Sequence, residues 1–178
     1  PLAPDGKIDR KTAAEMVDLA YRSGVNYFDT AYGYHYRESE LFIGEALKRY
    51  PRESFFLATK LPSWLLKTPE DPDRIFAEQL EKTQVEYFDF YLLHSLNDGN
   101  WGSIQKTGGL EKMQQKKKEG KIRFLGFSYH GNYKTFLEVL DAAEWDFVQL
   151  QINYLDYVMS DAKSFHDQLN QRGIPCVV

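Results

Sequence analysis

Apolar and polar positions along this chain alternate in two periods. Between Arg10 and Ser23 the apolar residues Ala13, Met16, Val17 and Ala20 recur at helical spacing, and Gly24 stands where such a helix stops. A short β-type run, Val25 to Phe28, follows. The same switch repeats through residues 55–59, 87–93, 122–127, 147–152 and 174–178, each a short apolar β-type run, with a helical stretch between successive runs. Asp71-Pro72 predicts an N-cap with Pro at the first helical position, ahead of Ile75, Phe76, Gln79 and Leu80. Gly120 and Gly173 end two further helices.

Strands begin at intervals of roughly 25 to 35 residues, the length of a repeating βα unit, which predicts a parallel sheet covered by helices. Two α/β architectures compete, an open doubly wound sheet and a closed barrel. An open dinucleotide-binding sheet carries a Gly-rich turn after an early strand, and no G-x-G-x-x-G occurs here, which favours a (β/α)8 TIM barrel. Six strands are visible where closure needs eight. The expectation is therefore one partial barrel domain over residues 1–178, about strands 2 to 7, truncated at both ends. No linker or low-complexity segment interrupts it.

Composition narrows the function classes. With 178 residues, 43% hydrophobic and 27% charged, the chain can bury one sizeable core. A net charge of −4 argues against a nucleic-acid partner, since phosphate binding demands a basic excess. The basic run Lys116, Lys117 and Lys118 lies between Glu111 and Glu119 on a helical stretch and reads as a solvated face. The single cysteine, Cys176, excludes an internal disulfide framework and fits a reducing compartment. No run approaches the roughly 18 apolar residues of a membrane span, so a cytoplasmic protein with no membrane partner is expected.

Barrel chemistry sits where strands end. The polar residues there are Asp29, Lys60, His94, Ser128, and Gln151 with Asn153. A lysine at a barrel mouth must be paired or lose its charge, and Asp29 on the neighbouring strand is its available partner. An ammonium beside a phenol stabilises phenolate and makes tyrosine a better acid than its reference pKa of about 10 allows. Tyr32, Tyr34 and Tyr36 all follow Asp29. His94 can hydrogen-bond the same substrate oxygen. His35 and His130 lie in loops on the same side. A barrel glycosidase would need two strand-end carboxylates, and only Asp29 is so placed.

"FDTAYGY", "ESELFIGEAL", "ATK", "FDFYLLH" and "IRFLGFSYHGN", in this order over nearly the whole chain, resemble the aldo-keto reductases, barrel enzymes that use NADPH to reduce aldehydes and ketones. The resemblance implies a catalytic tetrad of Asp29, Tyr34, Lys60 and His94, and it selects Tyr34, five residues after Asp29, over Tyr32 and Tyr36. It further implies a nicotinamide carboxamide held by Ser128, by Gln151 and by position 129, where Tyr129 stands in place of the family's Asn. The implied cofactor is NADPH, with NADH an alternative, and the implied partner a small carbonyl substrate. "GFSYHG" and "HSLNDGNW" look most like a bacterial branch whose longer members often add a C-terminal ferredoxin-like iron–sulfur domain. The rival reading is a cofactor-binding sensor or regulatory subunit with the same fold and little turnover.

Overall fold

The computed structural model describes residues 1–178. Helix α1 (Arg10–Arg22) leads into strand β1 (Tyr27–Asp29), a short turn of helix (Tyr34–Arg37) and α2 (Ser39–Leu47). Then come β2 (Phe56–Pro62), α3 (Asp71–Thr83), β3 (Phe88–Leu96), α4 (Trp101–Thr107), α5 (Gly109–Lys118) and β4 (Ile122–Tyr129). The chain finishes with α6 (Tyr133–Asp141), β5 (Phe147–Leu150), α7 (Tyr154–Met159), α8 (Ala162–Arg172) and β6 (Cys176–Val177). All six strands pair in parallel in the order β1-β2-β3-β4-β5-β6, a curled half-barrel that matches an incomplete TIM barrel.

Alternation along each strand divides side chains between two faces. Leu57, Tyr91, Leu93, Leu125, Phe127 and Val148 join Ile75, Phe76, Ile104, Met113, Phe136 and Leu169 of the helices in one apolar cluster. The concave face carries instead a half-buried aromatic plug centred on Phe90, whose ring lies 5.0–6.0 Å from those of Tyr27, Phe56, Phe124 and Phe147. The plug needs Gly126. A Cβ there would stand 2.5 Å from the Phe147 carbonyl oxygen and 2.7 Å from its ring.

Two carboxylates fasten the strand starts. Asp89, fully buried, accepts the Leu57 N–H at 2.9 Å and bonds from Arg52 and Arg123 at 2.7 and 2.8 Å. Asp146 likewise accepts the Leu125 N–H at 2.7 Å and pairs with Lys117. The basic run is therefore more than a solvated face, since Lys116 also reaches Asp73 of α3 at 3.1 Å.

Other expectations shift in detail. Asp71 opens α3 itself, and its carboxylate turns back to accept the Lys67 and Thr68 N–H groups at 2.9 and 2.8 Å. Strand β3 continues past His94 to Leu96 through a register shift in which Ser95 takes φ 54°. Asn153 is used as the N-cap of α7, accepting from Leu155 and Asp156 N–H, and so is committed to the backbone.

Candidate active site

The strand ends converge as the barrel geometry requires. Lys60, on the inner face of β2, is 2% exposed. Its ammonium makes a close ion pair with Asp29, donates to the Thr30 carbonyl at 2.9 Å, and stands 3.5 Å from the Tyr34 hydroxyl. The Asp29 carboxylate and the Thr30 carbonyl thus stand in for part of the water that burial removes from the ammonium. The Tyr34 ring meets that of His94 edge-on, centroids 5.8 Å apart at 77°, while the Trp64 ring lies 5.1 Å from His94 on another side.

Burial, then the Lys60 charge, then His130 push the His94 pKa down from 6.5 to about 3, so the imidazole is neutral near neutrality. A neutral ring offers one donor and one acceptor. Its Nδ1 is buried without a partner.

Tyr34, Lys60, His94, Ser128, His130, Gln149 and Gln151 line one cavity of about 180 Å3. Ser128 Oγ accepts the Ser95 N–H at 2.7 Å and keeps its own proton to donate. Gln149 is directly opposite Ser128 in the β4–β5 ladder, and its Oε1 is buried with no protein partner. Sequence reading missed this residue because it took only the polar residues at the end of the 147–152 run, Gln151 and Asn153. The signal was the period of two, which puts 149 and 151 on one face. Gln151 lies beyond the strand and is exposed.

Tyr129 is not brought to this group. The neighbour of an inward Ser128 must point outward, and its ring packs against Phe127, Phe136 and Phe165 with its hydroxyl donating to Asn132 O at 2.7 Å. Burial raises its pKa to about 12. Tyr32 is also spent on packing, 3% exposed, with its hydroxyl donating to Glu78 at 2.9 Å, and Tyr36 is 87% exposed at the rim.

Behind Lys60 lies a buried polar brace. Gln79 of α3 donates to the Lys60 carbonyl at 3.0 Å and to Glu40 at 2.6 Å; Glu40 also accepts from Thr59 at 2.7 Å, and Tyr91 donates to Gln79 at 2.5 Å. Burial raises the Glu40 pKa against these bonds.

The turn after Tyr34 is unusual. His35, Tyr36 and Arg37 have φ of 50°, 55° and 73°, three successive left-handed residues with no glycine among them. Each such residue costs about 1–2 kcal/mol. No group of three or more His, Cys, Asp or Glu side chains could hold a metal ion. No helix is long and apolar enough to cross a membrane.

The half-barrel brings these groups together at its strand ends, and the family follows from comparison. Residues 3–178 match the model of the aldo/keto reductase family, and the chain belongs to that family. It is 28% identical over 179 residues to the NADH-specific methylglyoxal reductase of Escherichia coli K12, covering 88% of this chain and 53% of that protein. It is 29% identical over 162 residues to L-galactose dehydrogenase of Arabidopsis thaliana, covering 88% and 50%. An aldo-keto reductase of Bacillus halodurans in its holo form superposes with a TM-score of 0.76 at 27% identity, over 96% of this chain and 56% of that one. An aldo-keto reductase of Klebsiella pneumoniae in complex with NADPH shares the fold, with a TM-score of 0.77 at 22% identity, over 96% and 58%. The chain thus spans about half the length of the curated relatives it matches.

Proposed function

We propose that the protein bearing these residues is a nicotinamide-dependent carbonyl reductase in which Tyr34 is the general acid. The observation that carries this reading is the Tyr34 hydroxyl 3.5 Å from the buried Lys60 ammonium, at the edge of a cavity that His94 also lines.

The residues fit a nicotinamide. Ser128 has a free hydroxyl proton for a carboxamide oxygen, and the unpartnered Gln149 Oε1 is an acceptor for a carboxamide N–H2. Gln151 adds a second amide at the mouth. When bound, the reduced cofactor supplies the hydride. Tyr34 gives its phenolic proton to the substrate carbonyl oxygen, and Lys60 stabilises the phenolate left behind. Asp29 fixes the lysine and balances its charge. His94, held neutral by burial, donates a hydrogen bond that orients the carbonyl without adding a charge of its own. Trp64, half exposed beside His94, offers an apolar wall to the substrate.

The E. coli relative uses NADH, and the K. pneumoniae structure holds NADPH, so both cofactors belong in the test. The experiment is reduction of a small aldehyde by the full-length protein with NADH or NADPH deuterated at C4. The expected result is one deuterium on the former carbonyl carbon with at least one cofactor. Tight cofactor binding with no deuterium transfer to any of a panel of aldehydes and ketones would support a sensor instead.

A further inference from the structure

Three consecutive left-handed residues directly follow Tyr34, and L-residues adopt that conformation routinely only as isolated positions. Something must hold them. Arg37 reaches back over the turn: its guanidinium lies 4.5 Å from the centroid of the Tyr32 ring, hydrogen-bonds the Tyr32 hydroxyl, and pairs with Glu78 of α3 at 2.8 Å. The segment from Tyr32 to Arg37 is thereby closed into a ring of chain with Tyr34 inside it. Tyr32 anchors the ring, since it is buried and donates to Glu78 at 2.9 Å.

We propose that Arg37, clamped between Tyr32 and Glu78, is a positioning residue for Tyr34, holding the left-handed turn that aims the phenol at Lys60. This rests on the reading of Tyr34 as the acid. An exposed arginine–carboxylate pair by itself stabilises little. This one differs in what it closes, because relaxation of the turn would rotate the chain on which Tyr34 sits. The next residue of α3, Gln79, holds the Lys60 carbonyl at 3.0 Å, so consecutive residues of one helix brace both members of the Tyr34–Lys60 pair.

Two features make the idea testable without collapse of the fold. Glu78 keeps Lys82 at 2.7 Å when Arg37 is removed, so no bare carboxylate results. Tyr36 is 87% exposed, so glycine there removes the left-handed penalty and little packing.

The experiment uses the full-length, cofactor-loaded protein and four variants: Arg37→Met, Tyr36→Gly, their double, and Tyr34→Phe as reference. For Arg37→Met, kcat should fall about tenfold, with KM and cofactor Kd held within about twofold. Tyr36→Gly alone should be near wild type, and in the double variant it should restore kcat by about threefold or more. Ring-labelled tyrosine NMR, with Tyr34 assigned from Tyr34→Phe, gives a readout independent of turnover. The Tyr34 resonance should move toward free tyrosine in Arg37→Met and return in the double variant. An unmoved resonance in Arg37→Met, or a kcat loss matched by cofactor affinity and not recovered by glycine, overturns the proposal. Retained activity in Tyr34→Phe would overturn the reading of the acid instead, and the NMR comparison would still decide the latch.

Discussion

Ser128 and Gln149 stand opposite each other on β4 and β5, both on the concave face and both lining the cavity that holds Tyr34, Lys60 and His94. One offers a free hydroxyl proton and the other a buried, unpartnered amide oxygen. Gln149→Leu should therefore weaken cofactor binding by about two- to tenfold, the value of one lost hydrogen bond. Gln151→Leu, at an exposed position, should do less. Fluorescence titration of both variants checks the order, and the reverse order would return the carboxamide to Gln151.

Lys60→Met should reduce turnover by at least about a hundredfold, because it removes the cation beside the Tyr34 phenol. Stability should fall as well. Asp29 keeps partial solvent access, so the loss should be smaller than the about 3–5 kcal/mol of a fully buried pair broken on one side. Thermal melting and steady-state rates test the two halves separately.

His94 ties stability to pH. Its folded pKa is about 3 and its unfolded value 6.5, so between these the unfolded chain binds more protons. The stability it contributes is complete above pH 6.5 and declines as pH falls toward 3, by at most about 1.4 kcal/mol per pH unit. His94→Gln should flatten that part of the profile. Urea titrations of both proteins at several pH values would reveal it, and parallel profiles would place the proton uptake elsewhere.

Gly126→Ala should destabilise the barrel by about 1–3 kcal/mol or more, since its methyl would overlap the Phe147 carbonyl and ring. Pairing it with Phe147→Leu should recover part of the loss in denaturant midpoint. An unaffected midpoint in the single variant would mean that β4 and β5 can separate there without cost.

The strands and the strand-end residues Asp29, Lys60 and His94 were readable in the chain because apolar runs mark strands and polar residues mark their ends, whereas Tyr34 was singled out from Tyr32 and Tyr36 by family resemblance alone. Lys60 and Asp29 show this well: one strand-end cation, one neighbouring strand-end anion, and a close pair in space. What stayed hidden depended on contacts distant in sequence. Gln149 shares a face with Gln151 by the period of two, but that its buried oxygen has no partner and that it lies opposite Ser128 are known only from the fold. Tyr129 was placed by family position, while the pleat turned it toward Phe136 and Phe165. The left-handed turn at residues 35–37 carries no glycine to announce it, and its support comes from Glu78, 41 residues beyond Arg37. Helix α7 escaped notice because its apolar residues, Tyr154, Val158 and Met159, are exposed and leave no buried stripe to read.

The most direct measurement is single-turnover reduction of a small aldehyde by wild type and Tyr34→Phe, each saturated with its reduced cofactor. If Tyr34 supplies the proton, the rate of the chemical step falls by about a thousandfold while cofactor Kd stays within about twofold. A Tyr34→Phe protein that keeps more than about a tenth of the wild-type rate would contradict Tyr34 as the acid.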